Sequence, residues 1–182
     1  MQEWITAGFS LRPQIFVAQV LPTDASIANP YEWRNSAQVI LDCLQHGVVP
    51  VINYNDPLSF AAIELLLKQA NDNDKLTADF APHIGAKAVL FLTEAGGVHD
   101  GHPANGGTRL YQEIDWRNPP FIESAKPAHG RGGMSAKVTF AIECRKQGIK
   151  RVAIIGLTHD VILRFARGED VSTIVGNRNT LV

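Results

Sequence analysis

"GRGGMSAKVTFAIECRKQGIKRVAIIGL", residues 130–157, holds one full turn of an alternating fold. Glycines and small residues open it. A helical run follows to Gln147, Gly148 stops it, and "RVAIIGL" (151–157) reads as a strand. That strand is apolar at successive positions rather than at every second one, as in a strand covered on both faces. "IFVAQVL" (15–21, closed by Pro22), "VVPVIN" (48–53) and "KAVLFLT" (87–93) read the same way, and "VSTIV" (171–175) supplies a last strand. Helical patterns lie between them. Residues 35–47 carry a stripe of Val39, Ile40, Cys43 and Leu44, with Asn35 or Ser36 as cap and Gly47 as stop. "NDND" (71–74) opens a helix marked by Leu76, Phe80 and Ile84 and ended by Gly85. A short helix is expected near 159–167. Residues 58–70 read as helix or hairpin, and 108–128 as irregular, proline-rich chain. Strand and helix alternation of this kind predicts an α/β fold with a mostly parallel sheet, in one domain over 1–182.

Composition narrows the function. The chain has 182 residues, 45% hydrophobic and 19% charged, with a formal net charge of −1, so no electrostatic pull toward nucleic acid or an anionic membrane is expected. The longest apolar runs, such as "AVLFL" (88–92), are too short to span a bilayer. "MQEWITAGFS" (1–10) lacks the basic and apolar segments of a secretory signal. Cys43 and Cys144 fall on apolar helix faces and read as buried thiols, which suits a reducing cytoplasm.

Ligands of open α/β sheets sit at the carboxyl ends of strands. Four polar clusters fall there or at helix starts: Asn53 to Asp56, Asn71 to Asp74, Thr93–Glu94, and the loop from Gly130 to Lys137. Taken singly, each has an ordinary reading as turn, cap or chain reversal. Together they suggest a site. Glycines allow close backbone approach, helix-start amides point at an anion, and a lysine adds a point charge, so 130–137 could hold a phosphate. It is not a Walker A loop, because no second glycine directly precedes Lys137. His99, Asp100 and His102 sit in a glycine-rich stretch without a further ligand pattern; they read as a solvated loop, and no metal site is assigned.

These clusters, in this order, resemble the amino acid kinase family, and within it the glutamate 5-kinase branch. "VVPVINYND" (48–56) resembles the branch's strand and substrate loop, usually written with Asn-Glu-Asn-Asp. "DNDKLTA" (72–78) is similar to its Asp-Asn-Asp-x-Leu-Ser-Ala helix start. "VLFLTEAGGVHD" (89–100) resembles its nucleotide-side strand and loop. "GRGGMSAK" resembles its Gly-Thr-Gly-Gly-Met-x-Thr-Lys loop. The second and fourth motifs are the specific ones, and the match runs from about Phe16 to Val175.

The resemblance implies a three-layer α/β/α sandwich and ATP-dependent phosphorylation of L-glutamate to L-glutamyl 5-phosphate, the first step of proline biosynthesis, in the cytoplasm. It implies that Asn53, Asp56 and Asn73 bind the amino acid, that Asp74 orients cationic groups around the transferring phosphoryl, and that Thr93 and Glu94 flank the nucleotide. Arg131, Gly132, Gly133, Met134, Ser135, Ala136 and Lys137 would wrap the ATP phosphates, with Lys137 stabilising the leaving charge. Mg2+ would be bound mainly through those phosphates. There are departures: Arg131 stands where the family usually has Thr or Ser, Ala136 where it has Thr, Glu94 where it has Asp, and Ser172 where it has Gly. Nothing before Phe16 resembles the family's opening lysine-bearing strand and glycine-rich segments, so an N-terminally shortened domain is expected. It would work as a homo-oligomer or with a partner supplying that part. Two alternatives stand beside this one: a non-catalytic binding module or split subunit, and a superfamily member acting on another carboxylate, carbamate or phosphate.

Overall fold

The computed structural model describes residues 15–55, 73–101, 108–122, 133–158, 160–169, 171–176 and 180–181. The chain divides into two compact units, Met1–Leu76 and Thr77–Val182. The stretch 58–70, left open between helix and hairpin, lies outside the described residues.

The first unit is a strand–helix–strand module. Strand β1 (Phe16–Val20) pairs in parallel with β2 (Val48–Ile52), in a register running from Phe16 opposite Val48 to Val20 opposite Ile52. Between them lie a short helix α1 (Asp24–Ala28) and the long α2 (Pro30–Gln45). Thr23 and Ser26 form a reciprocal capping box on α1: each side-chain oxygen accepts the other's backbone N–H, at 3.0 and 2.8 Å. Helix α2 is capped six residues before the expected Asn35. Its cap is Asn29, whose Oδ1 accepts the Tyr31 N–H at 3.0 Å, and Pro30 fills the first helical position, where its missing N–H costs nothing. The face turned to the sheet is also narrower than expected. Ala37 and Ile40, one turn apart, are buried, whereas Val39 and Leu44 are about half exposed (49% and 50%). Cys43 lies one turn further along that line and is only half-buried, which corrects its reading as a buried thiol. Nor are β1 and β2 buried as their composition suggests: Phe16 and Val49 are half exposed.

The second unit is built on a five-stranded sheet of order β3–β5–β6–β4–β7. Its strands are β3 (Ala88–Thr93), β4 (Tyr111–Asp115), β5 (Arg151–Gly156), β6 (Thr173–Gly176) and β7 (Thr180–Leu181). The helices are α3 (Asn73–His83), which begins in the first unit, α4 (Met134–Lys146) and α5 (Val161–Ala166). With β1–β2 included, three of the five strand pairings are parallel: β1–β2, β3–β5 and β4–β6. The exceptions are β5–β6 and β4–β7. The fold is therefore α/β with mostly parallel pairing, as the sequence predicts.

Strand β5 shows why. Val152, Ala153, Ile154 and Ile155 are all inaccessible to solvent. Side chains alternate across a strand. Val152 and Ile154 join a core with Ala78 and Ala81 of α3 and Val138, Ala141, Ile142 and Cys144 of α4. Ala153 and Ile155 join a second core with Val161 and Phe165 of α5 and with Val171. Helices thus cover both faces of this strand. Arg151 ties α5 back to it, donating to the carbonyls of Phe165 and Glu169 with its guanidinium 4.2 Å above the Phe165 ring.

Strand β4 was not legible. It lies in the stretch read as irregular, and only Tyr111 and Ile114 of its five residues are buried, unlike the continuous burial of β5; its pairing with β7 also shifts register between Tyr111 and Glu113. The last long strand starts at Thr173 rather than Val171, because Ser172 takes a left-handed φ of 52° that cannot belong to a strand.

Cys144 is fully buried in the α4 core. Burial first, and Glu143 second, push its thiol from 9.0 up to about 11. The folded state thus holds the neutral thiol over a pH range where the unfolded chain ionises. Its contribution is complete below pH 9 and is lost as pH rises through about 11. Unfolding free energy measured by urea titration is expected to fall by up to about 2 kcal/mol between those pH values, and Cys144→Ala to flatten that slope.

Candidate functional site

In the first unit the strand ends carry the polar residues. Asn53 follows β2, is exposed, and continues the strand pairing by donating its N–H to the Val20 carbonyl at 3.1 Å. Asn55 repeats this with the Pro22 carbonyl at 2.9 Å, while Tyr54 between them is buried. A pocket of about 410 Å3 opens at these strand ends, with Thr23, Ser26, Glu32, Asn35 and Asn55 among its lining residues. Glu32 went unremarked in the sequence as an ordinary polar position, and Asn35 was read there only as a helix cap. Asp56 lies outside the described residues. Asn73 and Asp74 are the first two residues of α3, exposed and half-buried respectively. That first turn, at the positive end of the helix dipole, favours acidic and amide side chains.

In the second unit the site edge is the carboxyl end of β3 and β5. Thr93 closes β3. Its carbonyl accepts the Leu157 N–H at 3.3 Å, and its Oγ1 accepts the Ala95 N–H at 3.2 Å, starting a tight turn at exposed Glu94. Gly96 and Gly97 carry the turn at φ 78° and 153°. It then folds across the end of β5, so closely that a Cβ on Gly156 would lie 2.7 Å from the Gly96 Cα.

Helix α4 starts at the same edge. Gly133 is its N-cap, in extended conformation and with no side-chain cap, and its first turn carries no acidic residue. The Met134, Ser135 and Ala136 amides are therefore not neutralised from within the helix, the condition for holding an anion. Lys137 lies one turn in, its Nζ 5.9 Å from the centroid of the Phe91 ring on β3, two residues before Thr93. The structure thus brings together Thr93, Glu94, the α4 start and Lys137. Arg131 and Gly132 lie outside the described residues.

His99 is engaged on both nitrogens, Nε2 with the Ala95 carbonyl at 3.1 Å and Nδ1 with Thr108 Oγ1 at 3.3 Å. His102 lies outside the described residues. Thr173, which the sequence did not single out, sits at this edge with its hydroxyl on two backbone partners. The signal was a hydroxyl residue in the middle of an apolar strand.

The Gly156–Gly96 contact is backbone against backbone and has little room to yield. Gly156→Ala is expected to cost about 1–3 kcal/mol, lowering the melting temperature by several degrees in a circular dichroism scan.

Comparison with known proteins agrees with this layout. The model of the amino acid kinase family matches residues 5–156. A glutamate 5-kinase of Methanosarcina mazei is 34% identical over 178 residues, 96% of this chain and 45% of that protein. Another, from Delftia acidovorans, is 32% identical over 162 residues, 87% of this chain and 41% of that protein. The chain spans about half the length of the curated relatives it matches. Two solved structures share the fold, each at a TM-score of 0.57. An isopentenyl phosphate kinase substrate complex is 14% identical, covering 89% of this chain and 60% of that one. A uridylate kinase from Archaeoglobus fulgidus is 16% identical, covering 94% and 67%. Among the described residues no helix is long and apolar enough to cross a membrane. The chain belongs to the amino acid kinase family.

Proposed function

We propose that this kinase-family chain takes part in ATP-dependent phosphorylation of the side-chain carboxylate of L-glutamate, giving L-glutamyl 5-phosphate and ADP. That reaction is the opening step of proline biosynthesis and belongs to the cytoplasm. One observation carries the nucleotide half: the uncapped start of α4, Lys137 and the Thr93–Glu94 turn share one sheet edge. Similarity to glutamate 5-kinases over most of the chain supports the acceptor.

The chemistry asks little of a general base. The acceptor carboxylate, with an ordinary pKa of about 4.3, is already ionised at neutral pH. Its oxygen attacks the γ-phosphorus in line. The new O–P bond forms as the bond to the β-phosphate oxygen breaks, and ADP leaves with the electron pair. The protein positions the two reactants and offsets negative charge around the phosphoryl group. Arg131 to Lys137 would cradle the phosphates, with the Lys137 ammonium on the leaving oxygen. Thr93 and Glu94 would border the nucleoside. Asn53, Asp56 and Asn73 would hold the amino acid, amides and carboxylate suiting its ammonium group. Asp74 would orient the cations between the reactants. Mg2+, bound mainly through the ATP phosphates, would add charge neutralisation there.

A second reading is that the chain binds these ligands but turns them over only with a partner polypeptide or as a homo-oligomer.

Titration of the purified chain with Mg-ATP and L-glutamate by calorimetry, alongside a hydroxamate assay for acyl phosphate, separates the two. Acyl phosphate is expected, reduced about 10²–10³-fold in Lys137→Met. Ligand binding without turnover moves the chain to the second reading. Binding of neither ligand overturns both.

A further inference from the structure

Among the described residues, Thr173 is the one fully buried polar side chain. Its hydroxyl is used twice. It donates to the Tyr111 carbonyl at 2.6 Å and accepts the Val98 N–H at 2.9 Å. Three separate segments meet on that oxygen: the start of β6, the start of β4, and the chain leaving the Thr93–Gly97 turn. Neighbouring Ser172 holds a left-handed φ of 52° and donates its hydroxyl to the Gly96 carbonyl. Gly97 completes the fit, since a Cβ there would lie 2.7 Å from Leu110 Cδ1 and 2.9 Å from Thr173 Oγ1. The Tyr111 N–H returns to the Val98 carbonyl at 2.7 Å, and His99 bridges Leu110. The turn is thus fixed at both ends, at Thr93 by β3 and at Gly96–Val98 by two consecutive hydroxyls, that of Ser172 just before β6 and that of Thr173 at its first residue.

We propose that Ser172 and Thr173 are positioning residues: their hydroxyl pair sets the Thr93–Gly97 turn, and through it the nucleotide side of the site. This rests on the reading of Thr93 and Glu94 as neighbours of the nucleotide. Neither hydroxyl need touch the ligand. Without the Thr173 hydroxyl, a buried N–H and a buried carbonyl lose their shared partner, and the anchor at Gly96–Val98 is weakened.

The full chain is tested as wild type, Thr173→Val, Thr173→Ser and Ser172→Gly. The readouts are Mg-ATP affinity by calorimetry, amide hydrogen exchange and thermal unfolding. Ser172→Gly guards against a folding defect, because glycine accepts the left-handed conformation without strain. Thr173→Val is expected to weaken Mg-ATP binding about tenfold. It should also speed exchange at Ala95–Val98 by about tenfold or more while Val152–Ile155 stay slow. Thr173→Ser should restore both, and Ser172→Gly should speed exchange at the turn with unchanged melting. Unchanged exchange at the turn in both Thr173→Val and Ser172→Gly overturns the proposal. So does faster exchange spread equally into β5, which would mark Thr173 as general core. If wild type binds no nucleotide, the nucleotide reading falls, and positioning of the turn stands or falls on the exchange data alone.

Discussion

Strand β5 must be dry on both faces, and much of the second unit follows from that. Four consecutive side chains, Val152 to Ile155, are fully buried. The three larger ones contribute on the order of 2 kcal/mol each. Such a strand needs a helix on either side and a hydrogen-bonded neighbour along each edge. Helices α4 and α5 supply the first, β3 and β6 the second. With both faces and both edges taken, the carboxyl end is where this strand can meet a ligand. The Thr93–Gly97 turn and the α4 start are gathered there.

Elements that obey a single strong rule were legible in the sequence. Strands β1, β2, β3 and β5 stood out as apolar runs, and the stops at Gly47, Gly85 and Gly148 have the left-handed φ values of 71°, 66° and 93° that terminate helices. What failed depended on partners. Strand β4 is half-polar because its surroundings bury only Tyr111 and Ile114. The start of α2 turned on Asn29–Pro30, a local cap hidden by a more obvious polar pair downstream. Val39 followed the helical period but fell away from the face that meets the sheet, and Cys43, further along the line of Ala37 and Ile40, is only half covered.

The site was legible to a different depth in each part. Residue types and order marked Thr93, Glu94 and the 133–137 helix start, and the structure sets them along one edge. Spacing could not reveal Ser172 and Thr173, because their contacts reach back more than 60 residues to Gly96, Val98 and Tyr111. Nor could it reveal the walls of the first unit's pocket, where Glu32 and Asn35 of α2 face the ends of β1 and β2.

The antiparallel junction between β5 and β6 gives the second unit's sheet two unlike rims. Along one rim lie the last residues of β3 and β5 beside the first residues of β4 and β6. Along the other lie the ends of β4 and β6, where the Trp116 N–H meets the Gly176 carbonyl and a groove of about 510 Å3 runs from Trp116 and Pro119 to Ile142 and Lys146. The first rim is locked by glycine contacts and by the Ser172 and Thr173 hydroxyls. The second turns through exposed Arg117, Asn118 and Pro119. Changes in loop length can therefore accumulate on the second rim while the first keeps its spacing, so the fold separates where this chain can diversify from where it must stay constant.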